Sequence, residues 1–519
     1  MGSYKLQDLI CYLCLPLIAL YYLLETPFAN VEERFILNTA YDFSHGVPYE
    51  EFHHIKHPHV VPRTILPSLI LTLIAKPLIW LNVRPIIIQI VLRAIVAIPG
   101  IFGYYFIARE MRSRYGVNYM RAFLVLTALQ SKTTYYISRT YPNIVAQNLL
   151  IYMWGFILRN DYLSAVKIVC YVAVILRSEV ALLLIPLCIG FLFYSKFDVW
   201  RLLKAGAIHS FTALFLTAIP DSFFWKNWGR FVWAELTAFI FNVIDGTSIK
   251  WGASEFSFYF ERIPSMLRIH WIIIVSLMAI AILSRKISIY PFICGAFYVF
   301  TYSLLPHKEE RFVTYINPLW NILMILGASV FMSIKVKPLN FLLKALIPVI
   351  IVYLFLSSEK EFQFRVGDYV GGIAAQSLYN YVPRQNISVL LSEHCVQHGA
   401  TLFTLPKDNP KMKFELIEDN PSHFIEEHSW VKFLFGDNCK DCPVDLESQN
   451  PDNYDIYLCS PREKPNETNW DFVEAFLPVE AKSINPFAKL IPDAKRRDVV
   501  SPVHVYVKKS SWSKIEHKK

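Results

Sequence analysis

Two adjacent carboxylates follow the first long apolar run of the chain, in the stretch Asn30-Val-Glu32-Glu33-Arg34-Phe35. Neighbouring side chains point in different directions, so one carboxylate can face a cavity while the other stabilises local structure. Desolvation in a half-dry cavity raises the pKa of a carboxylate, which can then take the proton of an attacking hydroxyl group. A solvated, salt-bridged helix start explains the same residues, and spacing alone favours that simpler interpretation.

A second charged cluster lies between two later apolar runs, in the stretch His307-Lys308-Glu309-Glu310-Arg311-Phe312. A histidine and two fixed cations beside two carboxylates suit a phosphate leaving group, because the charge of that group develops in the transition state. An ordinary charged loop has the same composition. Both clusters lie at the edges of apolar runs, where charged groups are costly unless they are paired or solvated.

Other polar residues at such edges are weaker candidates. Arg139-Thr-Tyr-Pro-Asn143 and Arg177-Ser-Glu179 are each more typical of structural polar pairs than of a site. The interval 219–262 carries Asp221, Trp225 and further aromatic residues. Aromatic residues between membrane spans usually anchor the chain at the interface, although they also stack on sugar rings.

Several motifs are absent from the sequence. It has no Walker A motif, no GxGxxG, no GxSxG elbow and no DxD. The missing DxD argues against a transferase that clamps a nucleotide sugar through a metal. Histidines crowd the first loop (His45, His53, His54, His57, His59), but no HExxH motif accompanies them. We predict neither a metal nor a cofactor, and a lipid-borne phosphosugar would be the more natural donor.

Composition indicates a membrane protein. The 519 residues are 54% hydrophobic and 18% charged, whereas soluble domains are about 25% charged. The mean hydropathy is +0.34, which excludes a disordered chain and an ordinary cytosolic enzyme. The net charge of +9 is typical of cytosolic loops and contacts with lipid headgroups, so we do not predict nucleic-acid binding.

Long apolar runs predict an all-α polytopic membrane protein with about eleven transmembrane helices. The first run is a retained anchor, and the loop 27–63, the loop around 306–312 and the tail face the lumen. The positive-inside rule and the number of candidates disagree by one, and 119–137 is the weakest of them. The candidates are 8–26, 64–82, 86–108, 119–137, 143–158, 163–176, 180–195, 204–219, 268–284, 289–305, 313–334 and 339–357.

The hydropathy divides the chain into a multi-spanning domain, 1–357, and a polar domain, 358–519. Short β-like runs at 387–391, 401–405, 456–459 and 503–507 predict a small mixed α/β fold for the tail. Its four cysteines, Cys395, Cys439, Cys442 and Cys459, suit disulfides in an oxidising lumen. Zinc binding is the alternative for Cys439 and Cys442. Two Asn-x-Ser/Thr triplets begin at Asn386 and Asn466, and such triplets are modified only in the lumen.

These motifs, in this order, resemble the endoplasmic-reticulum mannosyltransferases that use dolichyl-phosphate mannose, the GT-C fold glycosyltransferases of family 22. The stretch 307–312 is similar to their H-K-E-x-R-F signature, and Glu32-Glu33 lies where the family has its acidic pair. One branch, the α-1,6-mannosyltransferases that act on the heptamannosyl N-glycan precursor, is similar at further places. These are His54-x-x-x-Pro58-x-Val60-Val61-Pro62-Arg63-Thr64, Arg139-Thr-Tyr-Pro-Asn143, Asp221-Ser-Phe-Phe-Trp225, Phe241-Asn242, Trp251-Gly252 and Gly371-Gly372.

The sequence also departs from that branch. His53, His57 and His59 replace an Asp, a Phe and a Gly, and Glu310 replaces an apolar residue. Further departures are Ala234, Glu255 and Val370, each where Pro is usual. The three histidines stand close together in the first loop, where they alter the surface that would meet the acceptor.

The resemblance implies an inverting, metal-independent transfer of mannose from dolichyl-phosphate mannose to a dolichyl-diphosphate-linked oligosaccharide in the lumen of the endoplasmic reticulum. Glu32 is then the expected general base, with Glu33 in reserve. The expected phosphate-binding residues are His307, Lys308, Arg311, Arg63 and Arg139. Candidates for acceptor contacts or structural support are His54, Asp221, Trp225 and Glu179.

Three alternatives stay open at this stage. A glycosylphosphatidylinositol-precursor mannosyltransferase shares the acidic pair and the 307–312 signature, although the V-V-P-R-T segment argues against it. A lipid or sugar-phosphate transporter also carries charged groups in its spans, but no inverted repeat supports it. A relative that has lost its activity and serves as a partner is the third.

Overall fold

The structure of the protein is a computed structural model that describes residues 6–56, 61–226, 231–333, 337–407, 409–416, 451–460, 462, 465–466, 468–476 and 503–517. The chain forms two compact units, which are described separately. Unit 1 contains Met1–Tyr22, Pro62–Thr64 and Ala94–Phe362, and unit 2 contains Leu23–Val61, Ile65–Arg93 and Gln363–Lys519.

Nineteen α-helices lie within the described residues. They are α1 (Leu6–Glu25), α2 (Val31–His45), α3 (His53–Lys56), α4 (Leu66–Trp80), α5 (Pro85–Tyr115), α6 (Val117–Ala128), α7 (Ser131–Tyr136), α8 (Pro142–Leu158), α9 (Tyr162–Ile175), α10 (Leu184–Tyr194), α11 (Val199–Phe224), α12 (Ala234–Phe239), α13 (Phe258–Leu267), α14 (Trp271–Leu283), α15 (Tyr290–Ser303), α16 (Asn317–Met332), α17 (Lys337–Val366), α18 (Val370–Ser377) and α19 (Glu393–Gln397). The predicted division at residue 357 falls inside α17, because the change from apolar to polar sequence occurs along one continuous helix.

Four helical segments of the described chain are long and apolar enough to cross a bilayer: α1, α5, α11 and Glu310–Met332. The pair α13 and α14, bent by 84°, makes a fifth if it is one span. Shorter apolar helices include α4, α8 and α9. The sequence prediction of several apolar helices is confirmed, whereas the count of eleven stays a prediction.

The first helix shows why these segments suit lipid. Helix α1 is apolar over most of its length and leaves Leu9, Ile10, Leu13 and Leu17 exposed on its surface. A soluble protein rarely exposes so large an apolar surface, whereas a bilayer covers it. The weakest span candidate, 119–137, is two helices, α6 and α7, because the helix is interrupted at Leu129 and Gln130.

Helices α8, α9 and α16 all contribute to the core of unit 1, and α8 packs against both of the others. Trp154 of α8 is 1% exposed, and its indole nitrogen donates to the carbonyl oxygen of Tyr315 at 2.7 Å. Tyr315 lies in a short 3₁₀ helix, Glu310–Ile316, directly before α16. This contact anchors the 3₁₀ helix to the buried centre of the unit.

Unit 2 combines helices with a small sheet. Helix α2 packs against α4, and five strands form a mixed sheet in the order β3-β2-β4-β6-β5. A separate antiparallel pair joins β1 and β7. The strands are β1 (Tyr381–Pro383), β2 (Ile387–Leu391), β3 (Met412–Leu416), β4 (Ile456–Cys459), β5 (Trp470–Phe476), β6 (Val503–Lys508) and β7 (Ile515–His517).

The strands confirm a small sheet region in the tail, but the strand predicted at 401–405 is wrong. Leu402–Thr404 is a 3₁₀ helix, because local and tertiary hydrogen bonds replace a strand ladder. The Thr401 nitrogen donates to the Thr404 hydroxyl at 2.8 Å, and the Leu402 nitrogen donates to the Asn38 side chain at 3.1 Å.

The tail cysteines are only partly described. Cys395 and Cys459 are both buried. Cys439 and Cys442 lie outside the described residues, so the disulfide and zinc interpretations of the four cysteines stay predictions.

A close helix crossing in unit 1 gives the first prediction. A Cβ atom at Gly327 of α16 would overlap the carbonyl oxygen of Leu277 in α14. Gly327→Ala must push the two helices apart, and we expect it to lower the free energy of unfolding by about 1–3 kcal/mol. Gly206→Ala in α11 is the matched control, because nothing lies within 4 Å of its Cβ position.

Thermal unfolding of both variants in detergent checks this expectation. Gly206→Ala should unfold at or slightly above the temperature of the unchanged protein, because alanine is the better helix former. An unfolding temperature for Gly327→Ala that matches the control would show that the close packing of α14 and α16 is wrong.

Candidate active site

The 307–312 segment is held by its backbone. Glu310–Ile316 forms a 3₁₀ helix, and Pro318 in the first turn of α16 sets the start of the helix that follows. The Asn143 side chain donates to the carbonyl oxygen of Arg311 at 3.1 Å. The Tyr298 hydroxyl donates to the carbonyl oxygen of Phe312 at 3.0 Å. These contacts hold the backbone of the segment in place and thereby limit the positions that its side chains can adopt.

Glu309 lies between two cationic side chains. The Arg311 guanidinium binds its carboxylate through two nitrogens, Nη2 at 2.8 Å and Nε at 2.6 Å. His307 Nε2 lies 3.3 Å from the same carboxylate, and His307 Nδ1 lies 3.0 Å from the carbonyl oxygen of Gly252. Glu309 therefore orients Arg311 and His307 and balances part of their charge.

This arrangement shifts the acid–base behaviour of both partners. Burial opposes the charged form of Glu309, but the hydrogen bond from His307 and the charge of Arg311 outweigh it and hold the pKa of Glu309 well below its usual range. The hydrogen bond to Glu309 raises the pKa of His307 above its ordinary value, although burial acts in the opposite direction. A larger share of His307 is therefore cationic near neutral pH.

Lys308 has a different environment from its neighbours. It is 6% exposed, and its ammonium donates to the carbonyl oxygen of Ser254 at 2.7 Å. The Ser254 nitrogen in turn donates to the carbonyl oxygen of Pro306 at 3.0 Å. Lys308 thus ties the 307–312 segment to the loop before α13, while its positive charge stays within this segment.

Two arginines share the neighbourhood of the 139–143 stretch. Arg139 is fully buried, with its guanidinium over the Tyr135 ring at 4.1 Å. The Arg311 guanidinium lies over the Tyr141 ring at 4.5 Å. Such cation–π contacts stabilise a cation without neutralising it. The structure therefore brings the 139–143 stretch to Arg311, partly through Asn143.

The predicted residue Glu179 belongs to the same surroundings. Its carboxylate accepts from Arg177 Nε at 2.7 Å and from the Tyr315 hydroxyl at 3.1 Å. The Arg177 guanidinium also lies 5.7 Å from the centre of the Phe312 ring. Tyr315 and Phe312 both belong to the 3₁₀ helix that carries Arg311. Glu179 therefore has a structural role, because its bond with Tyr315 helps to hold this helix in place.

The sequence analysis missed Glu235. This residue is 3% exposed at the start of α12, and its carboxylate accepts from the Ser178 nitrogen at 2.8 Å. Burial raises its pKa to about 7, although the charges of Arg177 and Arg63 act against that rise. No sequence pattern identifies Glu235, because its raised pKa comes from burial in the folded chain beside residues such as Arg177 and Arg63 that are distant in sequence.

Glu310 belongs to a different network. It accepts from Lys132 at 2.5 Å and lies 3.4 Å from Arg262. Lys132, which is 2% exposed at its side chain, also lies 3.6 Å from Glu361, and Arg268 pairs with Glu361. The unusual carboxylate at position 310 is therefore matched by buried and half-buried cations, and it stays apart from the Glu309 pair.

Asp221, Trp225 and Arg63 meet in a structural contact. Asp221 accepts from the Thr217 hydroxyl at 2.8 Å and from the Thr64 hydroxyl at 3.2 Å. The Trp225 indole nitrogen donates to the carbonyl oxygen of Arg63 at 2.8 Å. These bonds tie the end of α11 to residues 63–64. They use the backbone of Arg63, whose side chain is half-buried.

The acidic pair of the first loop lies in unit 2. Glu33 is fully buried, and its carboxylate accepts from the Asn30 nitrogen at 3.0 Å, at the N-terminus of α2. Glu32, in the same turn, is exposed. The two carboxylates thus differ as the sequence analysis allowed, one committed to the helix start and one directed outward.

The first-loop histidines have local roles where they are described. His54 is 2% exposed, and its Nε2 lies 3.1 Å from the carbonyl oxygen of Phe35. The His53 nitrogen donates to the Asp42 carboxylate at 2.8 Å. His57 and His59 lie outside the described residues. Among the residues that the structure describes, no three His, Cys, Asp or Glu side chains are grouped to hold a metal ion.

Comparisons with known proteins agree on one class. Residues 50–403 match the model of the Alg9-like mannosyltransferase family. A Schizosaccharomyces pombe protein called a probable Dol-P-Man:Man(7)GlcNAc(2)-PP-Dol alpha-1,6-mannosyltransferase is 29% identical over 409 residues, covering 76% of this chain and 72% of that protein. The Saccharomyces cerevisiae protein of that name, without "probable", is 26% identical over 420 residues, covering 74% and 75%.

A solved structure matches the whole fold. ArnT from Cupriavidus metallidurans, bound to undecaprenyl phosphate, has a TM-score of 0.57, 10% sequence identity, and coverage of 96% of this chain and 97% of that one. At this identity the likeness concerns the fold, which both chains share.

The buried position of Glu235 predicts a pH dependence of stability. Its pKa is raised from 4.5 to about 7, so between these values the folded state binds more protons than the unfolded one. Stability must therefore fall as pH rises through this window, by about 3 kcal/mol in total at about 1.4 kcal/mol per pKa unit. Glu235→Gln, which is neutral throughout, should lack this contribution.

Thermal unfolding in detergent between pH 5 and pH 8 (about the range in which such a group titrates) measures the difference. We expect Glu235→Gln to gain stability relative to the unchanged protein as pH rises. If the unfolding temperatures of the two proteins changed equally with pH, the raised pKa of Glu235 would be wrong.

Proposed function

Because the chain belongs to the Alg9-like mannosyltransferase family, we propose that it transfers mannose from dolichyl-phosphate mannose to Man7GlcNAc2-diphosphate-dolichol through an α-1,6 linkage. The observation that carries this proposal is the Glu309 cluster, in which Arg311 and His307 are bound to one carboxylate within the family signature. Relatives covered over most of their length carry names with this donor, acceptor and linkage.

The chemistry of such a transfer is a single displacement. The 6-hydroxyl oxygen of the acceptor mannose attacks C1 of the donor mannose, the bond from C1 to the phosphate oxygen breaks, and dolichyl phosphate leaves. A β-linked donor gives an α-linked product, so no covalent enzyme intermediate is needed. The reaction requires one base for the hydroxyl proton and a cationic environment for the leaving phosphate.

Glu32 is the base in this proposal. Its carboxylate is exposed in the first turn of α2, whereas Glu33 is buried and accepts a hydrogen bond from the Asn30 nitrogen. Glu32 is therefore the member of the pair whose carboxylate is open to an incoming hydroxyl group, while Glu33 fixes the turn that presents it.

Arg311 and His307 bind the leaving phosphate. Arg311 donates to Glu309 through Nη2 and makes a cation–π contact with Tyr141, and its planar guanidinium suits phosphate oxygens. His307, whose pKa is raised by the hydrogen bond to Glu309, adds positive charge beside Arg311 in its protonated form. Lys308 adds charge from its position on the Ser254 carbonyl, and Arg139 adds charge from the buried end of the 139–143 stretch.

Location follows from the same proposal. The apolar helices suit a multi-pass membrane protein, the names of the relatives support the membrane of the endoplasmic reticulum, and the distribution of basic loops supports a lumen-facing site. In this proposal the exposed Glu32, the 307–312 segment and the polar tail all face the lumen.

The direct test uses purified protein, dolichyl-phosphate mannose and the heptamannosyl lipid-linked precursor. We expect one added mannose, which a linkage-specific α-1,6-mannosidase removes. Transfer to a glycosylphosphatidylinositol precursor in place of this acceptor would contradict the proposed acceptor. Movement of labelled lipid across vesicles, without a new glycosidic bond, would contradict the enzyme class.

The base is tested by Glu32→Gln, which removes the proton acceptor and keeps the size of the side chain. We expect the turnover rate to fall roughly 10²- to 10⁴-fold, with unchanged thermal unfolding. Glu50→Gln, an exposed carboxylate of the same loop, is the matched control and should keep normal turnover. Near-normal turnover in Glu32→Gln would rule out this base.

A further inference from the structure

We propose that Asn466 carries an N-linked glycan and that Asn386, although it also begins an Asn-x-Ser/Thr triplet, does not. The inference rests on the luminal orientation in the proposed function, because the glycan-transferring machinery acts on the luminal side. Both triplets fit the Asn-x-Ser/Thr pattern, one ending in Ser388 and the other in Thr468, and the fold of unit 2 gives them different surroundings.

The Asn466 triplet has the geometry that the reaction needs. Asn466 and Thr468 are both exposed. The amide oxygen of Asn466 accepts from the Thr468 hydroxyl at 3.0 Å and from the Thr468 nitrogen at 3.1 Å. Two donors on the amide oxygen draw electron density toward it and favour loss of a proton from the nitrogen. The nitrogen Nδ2, which takes the sugar, therefore becomes the more reactive end of the amide.

The turn that holds this triplet is anchored on both sides. The Asn469 nitrogen donates to the carbonyl oxygen of Asn466 at 3.1 Å, which closes a turn before β5. The Lys509 nitrogen donates to the carbonyl oxygen of Asn469 at 2.9 Å, and the Lys509 ammonium donates to that of Thr468 at 3.1 Å. The turn is thus set at the end of the β5–β6 pair, where folding preserves its outward presentation.

The second and third residues of the Asn386 triplet belong to the sheet, whereas Asn386 itself is exposed directly before β2. Ser388 lies in β2, which pairs with β3 on one side and β4 on the other. Its nitrogen and its hydroxyl both donate to one oxygen of Asp455, at 2.9 and 3.2 Å. The intervening Ile387 is 2% exposed. The Ser388 hydroxyl, which would assist the Asn386 amide, is therefore held by the Asp455 carboxylate. Ser388 also lies in an extended strand, which cannot bend without breaking its pairing with β3 and β4.

Asp455 makes this commitment strong. Its second oxygen accepts from the Ser511 hydroxyl at 2.5 Å and from the Lys514 ammonium at 2.9 Å. Burial opposes its ionisation, but the hydrogen bonds from Ser511 and Ser388 outweigh that effect and lower the pKa of Asp455. The charged carboxylate therefore keeps Ser388 across the whole neutral range of pH.

The transfer at Asn466 balances with a lipid-diphosphate-linked oligosaccharide as the second reactant. Nδ2 forms a bond to C1 of the first sugar, the bond from C1 to the phosphate oxygen breaks, and the lipid diphosphate leaves. The proton from Nδ2 passes to a base of the oligosaccharide-transferring enzyme. No oxidant or reductant is required.

The experiment expresses the full chain in eukaryotic cells and measures its mass before and after an endoglycosidase that removes N-linked glycans. Asn466→Gln and Thr468→Ala should each lose the single glycan, whereas Asn386→Gln and Ser388→Ala should keep it. A glycan that persists in Asn466→Gln and disappears in Asn386→Gln would overturn the inference, as would two glycans on the unchanged chain.

A reporter separates this inference from the proposed function. An Asn-Gly-Thr triplet, appended after Lys519 on a flexible linker, is modified if the tail is luminal. Modification of the reporter with an unmodified Asn466, in a protein that transfers mannose, overturns the glycan inference alone. An unmodified reporter together with an unmodified Asn466 overturns both the luminal orientation and the inference.

Discussion

The ion pairing around Glu309 is the constraint on which the rest of the candidate site depends. Cations beside a membrane are costly to bury without a partner. Glu309 supplies that partner, since its carboxylate lies 2.8 Å from Arg311 Nη2, 2.6 Å from Arg311 Nε and 3.3 Å from His307 Nε2. The raised pKa of His307 favours its protonated form, so a phosphate that contacts this cluster would join an existing network of charges.

The fold around this pair serves to hold its backbone. Asn143 and Tyr298 bind the carbonyl oxygens of Arg311 and Phe312, and Trp154 binds that of Tyr315. The second network, around Lys132, keeps the extra carboxylate of position 310 away from Glu309. The carboxylate at position 310 is therefore matched by cations of its own network within the chain.

The sequence predicted those features that depend on local pattern. Apolar runs located α1, α5 and α16, and the strand at 387–391 followed from a short β-branched run. The roles of the charged residues depend on tertiary contacts that no spacing reveals. Glu235 is buried and interacts with the charge of Arg177. Residues 401–405 lie outside the sheet, and their polar atoms bind Gln89 and Asn38, more than three hundred positions away. Polarity located the clusters, and only the fold separated Glu309 from Glu310.

The most direct test of the phosphate-binding claim measures the affinity of the purified protein for dolichyl phosphate, the leaving group itself, by titration calorimetry in detergent. Arg311→Ala removes a charged hydrogen-bond donor and should weaken binding about 10- to 100-fold, as expected for 1.5–3 kcal/mol. Arg262→Ala, which removes a half-exposed arginine of the Glu310 network, should leave the affinity unchanged. Equal affinities for Arg311→Ala and the unchanged protein, with both folded, would contradict the account.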